Sequence, residues 1–202
     1  MNHKGHHHPI TLATRITIAR ILGIPLFVLV LIYYKMSLAA GAPEEWYRHA
    51  ALGLFIVIAG TDALDGFLAR ARDEESRLGA ILDPLADKAL MLSAIILLTR
   101  PSLTTLQPQF PVWFTLVVIS RDAVLLSGSF ITHCITGHLE VRPRMTGKIA
   151  TCFQMAAIVA ALIPLPAQPF FWLVGLAALF TLVSGLQYTV DGVQQLERAT
   201  HK

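Results

Sequence analysis

Four aspartates are spaced so that two consecutive apolar segments of the chain would bring them into one site. Asp62 and Asp65 stand three residues apart, and Asp83 and Asp87 stand four apart. Both spacings place side chains on one face of an α-helix. Counted from Glu74, Asp65 and Asp83 are each nine residues away, while Asp62 and Asp87 are twelve and thirteen away. A helical hairpin that turns near Glu74 would therefore hold all four carboxylates at matching depths.

Carboxylates at this density suit a hard divalent cation such as Mg²⁺, Mn²⁺ or Ca²⁺ better than zinc. Each carboxylate near the centre of a membrane would cost about 2.5–3.5 kcal/mol, and four like charges in one place also repel one another. Two bound metal ions would relieve both costs and could hold the attacking and leaving oxygens of a phosphoryl displacement. The alternative is that some of the acids only pair with nearby basic residues (Arg70, Arg72, Arg77 and Lys88).

The composition places these acids in a membrane protein. Of the 202 residues, 54% are hydrophobic and 14% are charged, whereas a soluble chain carries roughly 25% charged residues. The same figures exclude an intrinsically disordered chain. Cys134 and Cys152 lie in apolar runs, so we expect small buried residues there rather than a disulfide or a zinc site. The net charge of +3 is expected to mark membrane topology, and no nucleic-acid partner is expected.

Six apolar segments could cross a bilayer as helices, which takes about 17–25 residues each. They are 16–34, 47–60 with an extension towards Arg70, 79–98, 112–135, 146–165 and 170–190. The expected fold class is therefore an all-α integral membrane protein, with six transmembrane helices forming one catalytic bundle over residues 16–190. Residues 1–15 and 191–202 are expected to be a short N-terminal segment and a C-terminal tail, and the histidines near the N-terminus to be an incidental polar tail.

The positive charges predict the orientation of these segments. Eleven of the sixteen Lys and Arg residues fall on one side, three fall on the other and two lie inside segments. The positive-inside rule then places both termini and the acidic hairpin on the cytoplasmic side. Trp46, Tyr47, Trp113 and Trp172 gather towards the opposite face, as an interfacial aromatic belt would.

The acidic stretch resembles the signature of the CDP-alcohol phosphotransferase family, in its phosphatidylglycerophosphate synthase and cardiolipin synthase branch. The matching residues are Asp62-x2-Asp65-Gly66-x2-Ala69-Arg70-x8-Gly79-x3-Asp83-x3-Asp87. Eight defined residues over 26 positions make a specific pattern. Thr17-x2-Arg20 followed by Pro25 also resembles the family's first span, although Thr14 stands where many members carry Asn.

The resemblance implies an enzyme that transfers a substituted phosphate from a CDP-linked donor, here CDP-diacylglycerol, to an alcohol and releases CMP. It implies a site for two Mg²⁺ or Mn²⁺ ions held by the four aspartates of the motif, with Asp87 also acting as the general base. Asp62, Gly66, Ala69 and Gly79 would contact the cytidine nucleotide, and Arg70 would hold donor phosphate. The resemblance further implies a homodimer in a bacterial inner membrane, with the active site on the cytoplasmic side.

An acceptor pocket is expected around two cations of the later segments. Arg121 lies inside the fourth segment, where a charge is costly and usually faces a cavity or a partner. The resemblance places Arg121 and Lys148 near an anionic group of the acceptor, with Arg142 and Arg144 as weaker candidates. The alternative is an ion pair between Arg121 and Asp122. We expect no such pair, because adjacent helical residues point about 100° apart.

An anionic acceptor leaves several reactions open. Glycerol 3-phosphate would make the enzyme a phosphatidylglycerophosphate synthase, which is the preferred interpretation. Phosphatidylglycerol would make it a cardiolipin synthase, a branch that the Ser-Arg-Asp run ending at Asp122 resembles, and inositol phosphate is a third acceptor.

Two non-enzymatic classes compete with these interpretations. A divalent-cation transporter would need polar residues at successive depths, whereas the four acids gather at one end of their segments. A membrane scaffold would explain neither the glycine spacing nor Arg70.

Overall fold

In a computed structural model, the described residues of the chain form six α-helices and no strand. The description covers the backbone of residues 12–72, 77–99, 108–136, 145–163 and 165–200, and the side chains of 20–61, 85–99, 108–128, 145–163 and 165–194. The helices are α1 Leu12–Ala39, α2 Glu45–Arg72, α3 Arg77–Thr99, α4 Val112–Thr136, α5 Met145–Leu162 and α6 Ala167–Thr200. Each of the six apolar segments therefore coincides with one helix, and the all-α prediction is confirmed for this part of the chain.

The chain divides into two compact units, Met1–Leu97 and Leu98–Lys202. In the first unit, α1 packs along α2. The rings of Phe27 and Phe55 lie 5.8 Å apart between their centroids, and both side chains are buried. Gly23 allows the two helices to approach closely, because a Cβ atom at this position would stand 3.0 Å from Cδ1 of Ile58.

Polar contacts at the end of α1 tie it to α2 and α3. The buried ammonium of Lys35 donates a hydrogen bond to the carbonyl oxygen of Leu97. Because Leu97 lies in the last turn of α3, its carbonyl belongs to the negative end of the helix dipole, where a cation is favoured. The hydroxyl of Tyr34 donates to Glu45 Oε1 at 3.3 Å, and Arg48 lies over the Tyr34 ring.

In the second unit, α6 packs against both α4 and α5. Small side chains line the contact between α5 and α6, where Ala157, Ala161 and Ala177 are almost completely buried. Helices in membranes commonly associate through such small residues, because they allow close van der Waals packing of the backbones. Phe110 and Phe170, with ring centroids 5.4 Å apart, pack the chain before α4 against the start of α6.

Both units expose large apolar side chains, as a lipid-facing surface requires. Leu22, Leu126 and Leu186 are each about two-thirds or more exposed. Among the described residues, three segments are long and apolar enough to cross a membrane: Arg20–Ala39, Met145–Leu162 and Ala167–Gln194. These lie on α1, α5 and α6, and support a membrane protein.

Some expectations at the level of single residues need revision. Cys152 is an exposed residue of α5, so the prediction that it is buried is wrong; its sulfhydryl lies on the outer face of an apolar helix. The side chain of Cys134 lies outside the described part. α1 begins at Leu12 and α6 continues to Thr200, so helix extends into both terminal segments, because polar residues at a membrane surface can continue a helix after the apolar run ends.

Candidate active site

The motif acids occupy corresponding positions on α2 and α3. Asp65 and Asp62 lie seven and ten residues before Arg72, the last residue of α2. Asp83 and Asp87 lie six and ten residues after the start of α3. At a rise of about 1.5 Å per residue, α2 carries its two acids roughly 10 Å and 15 Å before its last residue, and α3 carries its two acids at about the same distances after its first residue.

Much of the motif can be placed on a helix only by its backbone. Only the backbone is described for seven motif residues, Asp62, Asp65, Gly66, Ala69, Arg70, Gly79 and Asp83, and Arg142 and Arg144 lie outside the described residues altogether. Asp87 and Lys88 are half-buried on α3. Where side chains are described, no group of three or more His, Cys, Asp or Glu comes together.

Arg121 lies at the centre of a polar cluster formed by α4 and α6. Its Nη1 donates to Oδ1 of Asp122 at 2.7 Å, and its Nη2 donates to Oγ of Ser184 at 3.2 Å. The guanidinium carbon lies 5.9 Å from the centroid of the Tyr188 ring, within the range of a cation–π contact. We call Arg121, Asp122, Ser184 and Tyr188 the arginine cluster.

The arginine cluster corrects the expectation that Arg121 and Asp122 do not pair. The two residues form an ion pair, and both side chains are 9% exposed. The prediction considered only the directions in which the two side chains leave the helix. The long arginine side chain has enough rotatable bonds to bring its guanidinium back to the neighbouring carboxylate.

One donor of the cluster is still unsatisfied. Within the described residues, the Nε atom of Arg121 is buried and has no hydrogen-bond partner. A buried donor without a partner destabilises the fold by about 1–3 kcal/mol unless a ligand or water accepts a hydrogen bond from it. The cluster therefore combines an ion-paired guanidinium with an N–H group that can still donate a hydrogen bond to a ligand.

The residues of α6 in the cluster were missed by sequence reasoning. These residues, Ser184 and Tyr188, follow Thr181 at spacings of three and four, which places all three on one face of α6. This stripe is visible in the sequence, but serine and tyrosine also occur in apolar helices without any such contact. Near it, Thr146 on α5 donates from its hydroxyl to Oε1 of Gln187 at 2.6 Å.

The two residues at the start of α5, Gly147 and Lys148, differ in their surroundings. Gly147 is buried, and a Cβ atom there would stand 3.1 Å from Nη2 of Arg121 and 3.3 Å from Oγ of Ser184. Glycine at this position therefore leaves the space that the guanidinium tip fills. Lys148 is exposed, so it does not share the buried contacts of Arg121.

Comparisons with known proteins agree with the motif. The sequence model of the family described as CDP-alcohol phosphatidyltransferase matches residues 10–183. Similar proteins named CDP-diacylglycerol–glycerol-3-phosphate 3-phosphatidyltransferase occur in several bacteria. The Bacillus subtilis protein is 34% identical over 195 residues, covering 88% of this chain and 92% of the relative. The Pseudomonas fluorescens protein is 35% identical over 185 residues, covering 86% and 85%.

The Escherichia coli K12 protein of the same name is 34% identical over 185 residues, covering 87% of this chain and 91% of the relative. The family match and the relatives span nearly the whole of both units, so the similarity is not confined to the acidic stretch. The chain belongs to the CDP-alcohol phosphatidyltransferase family and is an enzyme of that class.

Proposed function

We propose that this enzyme transfers the phosphatidyl group of CDP-diacylglycerol to a hydroxyl of glycerol 3-phosphate and releases CMP. The observation that carries the proposal is the similarity, at 34–35% identity over at least 85% of both chains, to proteins named for this reaction. The complete acidic motif on α2 and α3 adds the chemical groups that such a transfer needs.

The donor would bind at the hairpin ends of α2 and α3. Four carboxylates offer only oxygen ligands, a donor set that fits two Mg²⁺ or Mn²⁺ ions. Asp62, Asp65, Asp83 and Asp87 would hold them, and the metal would supply neutralisation of the charge that builds up on the departing CMP. Gly66, Ala69 and Gly79 leave room for the nucleotide against the helix backbone, and Arg70 binds a donor phosphate.

The transfer forms one phosphorus–oxygen bond and breaks another. The acceptor hydroxyl oxygen attacks the phosphorus that carries diacylglycerol, and the bond from this phosphorus to the oxygen bridging it to CMP breaks. Asp87 takes the hydroxyl proton, and CMP leaves with the bonding electron pair. A carboxylate that is not fully committed to metal is suited to this general-base role.

The arginine cluster would bind the phosphate of the acceptor. Two features support this role: the Arg121 side chain is only 9% exposed, and its Nε donor is unsatisfied within the described residues. An oxygen of the incoming phosphate would accept a charge-assisted hydrogen bond from this N–H group. Lys148, which is exposed on α5, together with Arg142 and Arg144, would attract the anion towards the cluster.

The membrane arrangement proposed with this function has six spans, with both termini and the active site in the cytoplasm of a bacterial cell. Three candidate spans on α1, α5 and α6 support a location in the membrane, and the asymmetry of Lys and Arg in the sequence supports the proposed orientation. The enzyme would act as a homodimer in the inner membrane, as the family resemblance implies.

The acceptor is tested with the purified chain in lipid nanodiscs containing CDP-diacylglycerol and Mg²⁺. Glycerol 3-phosphate, phosphatidylglycerol and inositol phosphate are offered separately, and the lipid product is identified by its mass. We expect phosphatidylglycerophosphate from the first acceptor. Cardiolipin as the main product would replace the proposal by a cardiolipin synthase. Transport of Mg²⁺ into sealed vesicles without any lipid product would replace it by a transporter.

A further inference from the structure

In the proposed reaction the arginine cluster binds the acceptor phosphate through Arg121, and the two α6 residues of the cluster contact the Arg121 guanidinium. We propose that Ser184 and Tyr188 are positioning residues, which hold the Arg121 guanidinium in the orientation that binds the anionic acceptor, so that α6 sets the affinity for this substrate. The inference rests on the proposed function, because it concerns the acceptor of that reaction.

Two hydrogen bonds to residues on different helices hold the guanidinium of Arg121. An arginine side chain has many rotamers, and binding a phosphate in one geometry requires that most of them be excluded. Here Nη1 is bound by Asp122 on the same helix and Nη2 by Ser184 on another. Asp122 alone would leave the guanidinium plane free to rotate about this one contact. The hydroxyl of Ser184, 63 positions away in the chain, supplies the second fixed point.

Thr181 and Ser184 on α6 use their hydroxyls for different contacts. Thr181 donates to the carbonyl oxygen of Ala177 and accepts from Gln154, so its hydroxyl serves the contact between α5 and α6. Ser184 is completely buried one turn later, and its oxygen accepts from Arg121. Tyr188, a further turn along, presents its ring to the same guanidinium. Along this face of α6, the first residue therefore stabilises helix packing, and the next two contact the arginine.

The guanidinium tip of Arg121 lies in a narrow space beside two glycines. A Cβ atom at Gly147 would lie close to three parts of the cluster, at 3.1 Å from Arg121, 3.3 Å from Ser184 and 3.8 Å from Tyr188. A Cβ at Gly185 would meet Cγ of Arg121 at 3.4 Å. The tip is thus confined by α5 and α6 together, while its Nε donor has no partner among the described residues. Confinement with one donor unused is the arrangement expected of a preorganised anion site.

The test compares Ser184→Ala with Ser127→Ala in the full-length enzyme. Ser127 is a matched control, because its exposed hydroxyl on α4 donates to carbonyl oxygens of its own helix, those of Ala123 and Val124. For Ser184→Ala we expect the KM for glycerol 3-phosphate to rise about tenfold, the typical effect of losing a hydrogen bond to a charged group. The KM for CDP-diacylglycerol and the kcat should stay close to the wild-type values.

A double-mutant cycle separates positioning from a structural role. If Ser184 acts through Arg121, Ser184→Ala added to Arg121→Ala should change the acceptor KM by less than about twofold, because the two effects are then not additive. Full additivity in the double variant would overturn the inference. So would an acceptor KM for Ser184→Ala equal to that of Ser127→Ala.

Calorimetric titration of glycerol 3-phosphate into the wild type and the same variants makes the result independent of turnover. A roughly tenfold weaker binding by Ser184→Ala supports the inference even if the wild type forms another lipid product, in which case only the proposed function fails. Equal binding by the wild type, Ser184→Ala and Arg121→Ala, or no binding by any of them, overturns the inference. An unchanged midpoint of thermal unfolding for Ser184→Ala shows that the fold is retained. If the midpoint falls, the test is repeated with Ser184→Cys, which keeps a weak donor and acceptor of similar size.

Discussion

Gln154 on α5 donates a hydrogen bond from Nε2 to the hydroxyl oxygen of Thr181 on α6 at 2.8 Å, between two almost completely buried side chains. The hydroxyl of Thr181 donates its one hydrogen bond to the carbonyl oxygen of Ala177 at 2.6 Å. Its oxygen can therefore only accept, and this fixes the orientation of the Gln154 amide. The pair joins the two helices inside an apolar contact, where polar side chains add to packing between small residues.

Thr181→Val should destabilise the enzyme, because it keeps the shape of the side chain and leaves the Gln154 donor without an acceptor. The expected loss is about 1 kcal/mol, measured as a lower midpoint of thermal unfolding in detergent. Thr189→Val is the matched control on α6, since Thr189 is exposed and donates to its own helix at Gly185. The double variant Gln154→Leu with Thr181→Val should recover part of the loss; equal midpoints for Thr181→Val and Thr189→Val would contradict this role.

Gly147→Ala should weaken acceptor binding by pressing a methyl group against Nη2 of Arg121. We expect the KM for glycerol 3-phosphate to rise about three- to tenfold, in line with the 1–3 kcal/mol cost of overpacking a tight contact, partly relieved by movement of the tip. Gly175→Ala on α6 is the control, because nothing lies within 4 Å of the place that its Cβ would take. A KM change shared by both variants would point to a general effect of alanine in these helices.

Asp87→Asn should abolish turnover while nucleotide binding is retained. Removal of a general base typically lowers the rate about 10²- to 10⁴-fold, and an asparagine keeps one oxygen for a metal ion. Single-turnover CMP release measures the rate, and equilibrium titration with a non-reacting CDP analogue measures binding. Glu44→Gln, an exposed substitution before α2, is the control. Parallel loss of rate and nucleotide affinity would show that Asp87 binds metal but is not the base.

Gly79→Leu should prevent nucleotide binding, because the resemblance places this glycine against the cytidine group. The expected loss of CDP affinity is at least tenfold, since a leucine would occupy the space that a glycine leaves open. Gly53→Leu on α2 is the matched control, as nothing lies within 4 Å of a Cβ there. Wild-type affinity in Gly79→Leu would remove this residue from the proposed nucleotide site.

The helices were the most predictable feature, because long apolar runs in a membrane protein have few other structures available. The ends of the helices were less predictable, because a helix can continue into polar sequence that carries no hydrophobic signal. For example, α6 reaches Thr200, ten residues beyond the last apolar segment. The acidic motif indicated the family through its spacing, and the comparisons confirmed that family.

The surroundings of Arg121 could not be predicted from the sequence. A cation inside an apolar segment indicated a partner or a cavity, but the partners depend on tertiary contacts. The directions in which neighbouring side chains leave a helix argue against a pair with Asp122, but the length of the arginine side chain allows it. Ser184 is separated from Arg121 by 63 positions, and nothing in the sequence of α6 distinguishes it from a serine that bonds only to its own helix.

The aspartates of α2 and α3 are proposed to carry a metal-dependent transfer from CDP-diacylglycerol, and every other assignment depends on that transfer. The most direct measurement is CMP release from the purified enzyme with CDP-diacylglycerol and glycerol 3-phosphate, before and after removal of divalent metal with a chelator. We predict that release stops with the chelator, returns with Mg²⁺ and is absent from the double variant Asp62→Asn with Asp83→Asn. Release that continues at the wild-type rate in the chelator or in the double variant would contradict a metal-dependent transfer at these aspartates.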